Sequence, residues 1–248
     1  MKYLKKFSTH SNYETFTGSS DFILPNVSYC ANEDEVHFSP IVIDQHEYVD
    51  LGLPSGTLWA TENIKDANGN ELYFAWGETQ GYTSGQVGID KYFAWFGDNA
   101  DYKYGTFNES DQENWGMNKY NNTDGKTVLE PEDDAATANW GSNWKMPTDI
   151  QFDELIANTE CVWTTVNGIQ GVKFISTING YTDKFLFFPA NCDAGNGEIS
   201  VGNFAYYWSA SLNVEEVAGA LEFYFEDGDY GVSNCSRCIG VSVRPVRA

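Results

Sequence analysis

The sequence has no apolar run of the length that a transmembrane helix requires. Such a helix takes about 20 consecutive apolar residues, and no stretch of the chain approaches that length. Basic residues are also few: 14 lysines and arginines stand against 36 aspartates and glutamates, which gives a formal net charge of -22. A surface of this sign repels phosphate backbones and anionic lipid. The composition therefore argues against nucleic acid and membrane partners.

Cysteine and histidine, which supply most metal and redox sites, are scarce. The five cysteines are an odd number at wide spacings, which argues against a disulfide framework. Cys235 and Cys238 form one CxxC motif. A zinc site would need a second cysteine pair or nearby histidines, but all three histidines lie at or before His46, near the other end of the sequence. No Ser-His-Asp set, HExxH motif or phosphate-binding loop is evident. We therefore predict no metal, no cofactor and no enzymatic activity.

The N-terminal part of the chain differs in character from the rest. It opens with Lys2, Lys5 and Lys6, followed by polar residues rather than by the apolar segment of a secretory signal. We expect no signal peptide, so an extracellular role would require another route of export, for example within a virus particle. Residues 22–30 and 35–40 have the composition of two short strands around an acidic turn. We predict an N-terminal attachment or oligomerisation segment over 1–45 and a ligand-binding domain over 46–248.

Aromatic residues and glycine are abundant, with 8 Trp, 15 Tyr, 16 Phe and 23 Gly. This composition predicts a folded chain in which short strands and turns dominate. One helix is predicted to begin at Pro131 and end at Gly141. A second begins at Thr148, which can form a capping box with Gln151. Strand patterns follow from Trp163 onward, so the sequence predicts an α+β fold.

An ordered series of short motifs begins at Tyr48. They are YVDLGLPSGTLWA at 48–60, FAWGE at 74–78, EDDAA at 132–136, WKMPT at 144–148, YWSAS at 207–211 and GVSVRPV at 240–246. With these motifs the stretch 48–246 resembles a protein family common in gut Bacteroidetes and their phages. The resemblance implies the C-type lectin fold of the formylglycine-generating-enzyme type, with short antiparallel strands, about two helices and long loops. The family includes the variable proteins of diversity-generating retroelements, among them a phage tropism determinant.

The same resemblance implies a non-enzymatic ligand- or receptor-binding function. In such proteins a reverse transcriptase mutates adenines of a template copy, and the C-terminal segment of the protein receives the changes. We expect a variable region at about 204–241, displayed on one exposed face to a protein or glycan of a bacterial cell surface. The implied location is a phage tail fibre or another extracellular surface, with a homotrimer on a virion fibre. Residues 23–30 also resemble the start of Bacteroides phage structural proteins, which suits attachment to a virion.

The candidate ligand-binding residues lie in and around this variable region. They are Phe204, Tyr206, Leu212, Asn213, Val214, Tyr224, Tyr230, Ser233, Asn234, Ser236, Cys238 and Ile239. For Phe204, Leu212 and Val214 a position in the core is an equal alternative. The expected scaffold residues are Trp208, Leu221, Phe223, Phe225, Val243 and Arg244. The guanidinium of Arg244 suits a buried or half-buried pair that fixes the last strand.

Residue types in the C-terminal segment bear on diversification. Adenine mutation of AAC-type codons reaches Asn, Asp, Ser, Gly, Tyr, Cys, Arg, Leu, Phe, Val, Ile and Ala, but not Lys, Gln, Met, Trp or Glu. Residues 230–241 contain only types from the reachable set. Glutamates at 215, 216, 222 and 226 are outside it. These four are therefore either fixed or an argument against diversification.

Other functions stay open. A non-diversified structural domain of a virion or surface would have the same fold. Formylglycine-generating enzymes use cysteines with bound copper, which would involve Cys235 and Cys238, but the surroundings of that active site are absent from the sequence. Some lectin-type folds bind calcium, and Asp98, Asp101 and Asp111 lie in predicted loops. Their spacing does not form the Asp-x-Asp-x-Asp-Gly loop of a calcium site.

Overall fold

The chain divides into two compact units, Met1–Gln45 and His46–Ala248, at the boundary expected from the sequence. The computed structural model describes residues 46–84, 86, 102–105, 107–111, 113–190 and 204–247, together with the backbone of four strands within residues 1–45. In the smaller unit β1 (Tyr3–Lys6) pairs antiparallel with β2 (Tyr13–Phe16). β3 (Pro25–Val27) pairs antiparallel with β4 (Phe38–Pro40), and both lie in segments where strands are predicted.

The larger unit begins and ends in the same sheet. β5 (Tyr48–Asp50) and β6 (Leu58–Ala60) form a hairpin, and β15 (Val246–Arg247) pairs antiparallel with β6. The Gly56 amide donates to the Leu53 carbonyl at 2.9 Å, and the φ of Gly56 is 76°, a value that glycine adopts without steric cost. The last residues of the chain are therefore tied to the first strand pair of this unit.

A five-stranded sheet contains most of the candidate residues. Its strands are β7 (Tyr73–Phe74), β11 (Phe204–Leu212), β12 (Gly219–Glu226), β13 (Asp229–Ser236) and β14 (Val241–Ser242). Their order is β13-β12-β11-β14-β7. β11, β12 and β13 are antiparallel neighbours, whereas β14 lies parallel to β11. The β12–β13 hairpin turns at Gly228, whose φ is 89°.

A third sheet follows the second helix. β8 (Thr159–Val166), β9 (Ile169–Ser176) and β10 (Phe185–Pro189) are antiparallel in the order β10-β9-β8. The helix α2 (Asp149–Ala157) begins after Thr148, which forms the predicted capping box with Gln151. Phe152 and Leu155 are buried, as their helical spacing predicts. With mainly antiparallel strands and short helices, the fold class is α+β, as predicted.

The helix predicted between Pro131 and Gly141 is interrupted. The structure has a 3-10 helix, Pro131–Asp133, followed by the helix α1 (Ala135–Trp140). Asp134 has an extended backbone, and its carboxylate accepts the Thr137 amide at 2.9 Å. The prediction of one continuous helix was wrong because aspartate caps a helix start better than it continues a helix. Among the described residues no helix combines the length and the apolar character that crossing a bilayer requires.

The five-stranded sheet lies between two buried clusters. One face contributes Tyr207, Phe223 and Phe225 to a cluster with α2 and the third sheet. The other face contributes Trp208 to a cluster that contains Trp76. The Trp208 indole donates to the Phe74 carbonyl at 2.7 Å, and the Trp76 indole donates to the Ser209 carbonyl at 2.9 Å. Because both faces pack against side chains, the sheet is a stiff support for the residues at its edges.

Arg244 is buried, as predicted, and it fixes the last strand. Its Nε donates to Asn63 Oδ1 at 2.6 Å, and a terminal nitrogen donates to the carbonyls of Ala60 at 3.1 Å and Phe187 at 3.2 Å. Asn63 in turn donates to the carboxylate of Glu71. Burial raises the pKa of Glu71 above its ordinary value. The partners of the guanidinium are thus an amide and two carbonyls, with a carboxylate beyond them.

Candidate binding surface

Strand register places several candidate residues on one face of the β11–β13 strands. Phe204 pairs with Glu226, Tyr206 pairs with Tyr224, and Glu226 pairs with Asp229. Residues directly opposite each other share a face, as do residues two apart on one strand. We call this surface the aromatic–acidic face. It consists of Phe204, Tyr206, Tyr224, Glu226, Asp229 and Ser233.

The aromatic rings of this face are accessible. Phe204 is 37% exposed, and its ring meets that of Tyr206 edge to face at 6.2 Å between centroids. Tyr206 and Tyr224 are half-buried. Gly231 is paired with Tyr224, and a Cβ at Gly231 would lie 3.4 Å from Tyr224 Cε1. The ring of Tyr224 therefore lies over a position where the neighbouring strand has no side chain.

The charge of this region is of one sign. Residues 204–236 contain no lysine, arginine or histidine. Their carboxylates are Glu215, Glu216, Glu222, Glu226, Asp227 and Asp229. The Tyr224 hydroxyl lies 3.4 Å from both carboxylate oxygens of Asp229. Partial burial and the negative charge of Asp229 raise the pKa of Tyr224.

A second group of candidate residues surrounds Gly219 at the other end of the strands. We call it the Gly219 patch, formed by Asn213, Val214, Asn234 and Ser236. Val214 is 58% exposed, and the Asn213 amide donates to the Gly219 carbonyl at 3.4 Å. A Cβ at Gly219 would lie 2.0 Å from Asn234 Oδ1, so the Asn234 side chain occupies the space that a larger residue would need. Ser236 pairs directly with Gly219.

Tyr230 belongs to the opposite face of the sheet. It pairs with Phe225, whose ring packs in the cluster beneath α2 and the third sheet. Tyr230 is 40% exposed, and the neighbouring thiol of Cys161 on β8 raises the pKa of the Tyr230 hydroxyl. Burial raises the pKa of the Cys161 thiol. The expectation of a single face is therefore wrong for Tyr230, and also for Asn234 and Ser236, which lie on the same face of β13 as Tyr230, because the β12–β13 register turns all three away from Tyr224.

Three candidate residues are inside the protein, which corrects the assignment of Cys238 and Ile239 to the surface and decides for Leu212 in favour of the core. Leu212 is 4% exposed, Cys238 is 3% exposed and Ile239 is fully buried. Leu212 pairs with Ala220 and packs in the cluster around Trp76. Cys238 and Ile239 are drawn into the same cluster because they follow Arg237, which is itself fully buried. None of the three can contact a partner on the surface.

Arg237 is the anchor that the sequence reasoning missed. Its Nε donates to the Tyr102 hydroxyl at 3.0 Å, and its terminal nitrogens donate to the carbonyls of Lys119 at 3.0 Å, Tyr120 at 3.0 Å and Val217 at 2.9 Å. The guanidinium also lies over the Trp76 ring, at 4.8 Å from its centroid. This cluster joins the C-terminal strands to the loop around 102–120. The frequent tyrosines of that loop were the sequence feature that could have indicated a set of aromatic rings around a buried cation.

An acidic group beneath this cluster is neutralised by lysine. Glu130, Glu132 and Asp133 place carboxylate oxygens within 4.8 Å of one another. The Lys119 ammonium lies among them, at 2.7 Å from Glu130, 3.7 Å from Glu132 and 2.5 Å from Asp133. Lys103 also binds Asp133, so two ammonium groups compensate a carboxylate that is 2% exposed. Asp133 is therefore a buried ion-pair partner of both lysines.

Hydrogen bonds set the protonation of Asp133. The Tyr120 hydroxyl donates to Asp133 Oδ2 at 2.6 Å, in addition to the two lysines. Burial alone would raise the pKa of this carboxyl. The hydrogen bonds outweigh burial and hold the pKa well below its ordinary value. Asp133 is therefore ionised in the folded state at neutral pH.

The structure describes some of the residues that were considered as calcium or copper ligands. Asp98 and Asp101 lie outside the described residues. Asp111 accepts the amides of Asn114 and Gly116, both at 3.1 Å, which lowers its pKa and closes a local turn. Cys235 is 4% exposed, and the thiol of Cys238 lies 3.3 Å from the Ser236 hydroxyl. Both cysteines of the CxxC motif thus lie in the core.

Comparison of the chain with protein-family models, with curated proteins and with solved structures gave no match. The family resemblance drawn from the motifs therefore stays a prediction.

Proposed function

We propose that residues 46–248 adopt the C-type lectin fold of the formylglycine-generating-enzyme type and act as a non-enzymatic receptor-binding domain. The main support for this proposal is a set of exposed apolar and aromatic side chains around a stiff sheet. Phe204 is 37% exposed, Tyr230 is 40% exposed and Val214 is 58% exposed. Rigid aromatic anchors with adaptable polar neighbours are the composition that binding surfaces use.

The arrangement of the C-terminal strands supports this function. A surface that accepts many side chains needs a framework whose stability does not depend on them. Here the framework consists of buried residues such as Trp208, Phe223, Arg237 and Arg244. Phe204, Asn234 and Tyr230 reach solvent from the same strands. Variation at these exposed positions would change the partner and leave the core intact.

The proposed setting is a phage tail or another extracellular surface, with the smaller unit as the attachment or oligomerisation segment. In this setting the partner is a protein or glycan on a bacterial cell, and the protein acts as an adhesin. A homotrimer on a fibre would present several copies of the surface at once, which raises avidity without new contacts.

Sequencing the locus from several isolates tests the diversified form of this function. We expect a reverse-transcriptase gene and a near-copy of the sequence that encodes residues 204–246. Differences should be confined to adenines of the template and should fall at Phe204, Tyr206, Tyr224 or Asn234 rather than at Arg237. A locus without a template copy, or with changes concentrated at the buried positions, would contradict diversification.

A second candidate is a structural domain of the same fold without a diversified ligand. The observation that favours it is the burial of Leu212, Arg237, Cys238 and Ile239, which lie within the expected variable region. Glu222 is also 3% exposed and is not reachable from AAC-type codons. Sequences that are invariant over 204–241 across isolates would favour this candidate.

A further inference from the structure

We propose that the aromatic–acidic face binds an extended protein segment that carries arginine or lysine side chains at alternate positions. This inference rests on the proposed function and adds the chemical class of the partner. It depends on three properties of the face: its charge, its aromatic rings and the spacing of its rows.

Within the described part of the chain, no lysine or arginine neutralises the carboxylates of this face. Glu226 and Asp229 form no ion pair with any lysine or arginine of the described part of the chain. Asp133, by contrast, is bound by both Lys103 and Lys119. Exposed carboxylates beside apolar rings favour a partner of opposite charge and repel an anionic one. A cationic group of the partner would therefore neutralise the negative charge of the face.

The rings of this face suit the same group. Arginine and lysine bind over aromatic rings within about 6 Å of the ring centroid. The interior of this protein shows the fit, because the Arg237 guanidinium lies 5.6 Å from the ring centroid of Tyr102 and 5.4 Å from that of Tyr104. The surface offers Tyr224 and Phe204 next to the carboxylates of Asp229 and Glu226. Ring and carboxylate together supply both contacts that a guanidinium makes.

Residues that pair across the strands form rows on this face, and the spacing of the rows indicates an extended backbone for the partner. One row contains Phe204, Glu226 and Asp229, and the next contains Tyr206 and Tyr224. The rows are two residues apart along each strand, which is about 7 Å. Alternate side chains of an extended segment have the same spacing. One cationic side chain per row is thus the arrangement that the face accommodates.

Selection from a random peptide library against the immobilised full chain tests this inference. Affinities of the enriched peptides are then measured by calorimetry for the wild type, for Glu226→Gln/Asp229→Asn and for Tyr224→Ala. The matched control is Asp153→Asn/Glu160→Gln, which removes the same charge from exposed residues elsewhere. Circular dichroism establishes that each variant folds as the wild type does.

We expect the enriched peptides to carry more arginine and lysine than the input library. The Glu226→Gln/Asp229→Asn variant should bind them between about 2-fold and about 30-fold more weakly, since each exposed ion pair contributes a modest factor. Tyr224→Ala should lose about 10-fold. The control should bind as the wild type does. Binding of the wild type should weaken as salt concentration rises.

Other outcomes separate this inference from the proposed function. Neutral or acidic peptides that still require Tyr224 would overturn the cationic partner and leave the binding function standing. Peptides that bind the Tyr224→Ala variant and the Glu226→Gln/Asp229→Asn variant as well as the wild type would overturn both the inference and the use of this face. A selection that enriches no peptide would overturn the inference.

Discussion

Replacing Arg237 by alanine removes the contacts that join the C-terminal strands to the loop around 102–120. Three backbone carbonyls and the Tyr102 hydroxyl lose their donor, and a fully buried side chain leaves a cavity beside Trp76. A buried group left without its hydrogen bond costs about 1–3 kcal/mol, and relaxation of the loop recovers part of the sum. We therefore expect a loss of about 3–5 kcal/mol in the free energy of unfolding.

The expected loss is large against a typical domain stability of about 5–15 kcal/mol. Arg237→Lys should lose less, about 2–3 kcal/mol, because an ammonium keeps the charge but lacks the planar fork that reaches several carbonyls. Ser236→Ala, one residue away and half-buried, should change stability by no more than about 0.5 kcal/mol.

Urea denaturation followed by tryptophan fluorescence measures these differences. All eight tryptophans lie after residue 46, so the signal reports on the larger unit. If Arg237→Ala lost less than about 1 kcal/mol, Arg237 would not be the anchor of the C-terminal strands. The burial of Arg237 would then give no reason for sequence variation to avoid this position.

Three further predictions follow from single contacts. Phe223→Ala, which removes a ring stacked on Phe152 at 4.8 Å, should cost about 3–5 kcal/mol in urea denaturation, whereas Phe204→Ala should cost less than about 1 kcal/mol; equal losses would contradict the division into scaffold and surface. Thr148→Ala should cost about 1 kcal/mol through loss of the α2 cap, and an unchanged midpoint would contradict the capping role. Asp133→Asn should cost about 3 kcal/mol at pH 7. Because the folded-state pKa of Asp133 lies below its unfolded value, its contribution is complete above about pH 4 and is lost as pH falls through the folded pKa. The gap between wild type and Asp133→Asn should therefore narrow in acid, and a constant gap would contradict the ion-pair account.

The parts of the fold that depend on local chemistry were predictable. Thr148 and Gln151 mark the start of α2, and Gly141 marks the end of α1. Phe223 and Phe225, which were expected to be scaffold residues, alternate with more polar residues on β12 and are fully buried. These features depend on residues within one turn or one strand, so the sequence contains the whole signal.

The parts that depend on distant contacts were not predictable. Cys238 and Ile239 are buried because Arg237 reaches carbonyls more than a hundred positions earlier in the chain. Tyr230 faces away from Tyr224 because of the register between β12 and β13. This orientation is a different case, because the two-residue Asp227–Gly228 turn sets the register of the hairpin, and pairing outward from that turn already places Tyr230 opposite Phe225.

Labelling of bacterial cells by the fluorescent full chain tests the central claim most directly. The assay compares wild type with Phe204→Ala/Tyr224→Ala on a panel of Bacteroides isolates. The matched control is Tyr48→Ala/Phe185→Ala, which truncates a tyrosine and a phenylalanine that are 48% and 45% exposed elsewhere in the same unit. We predict that some isolates are labelled by the wild type and by the control but lose most of the label with Phe204→Ala/Tyr224→Ala. Equal labelling by all three proteins, or labelling of no isolate, would contradict the account.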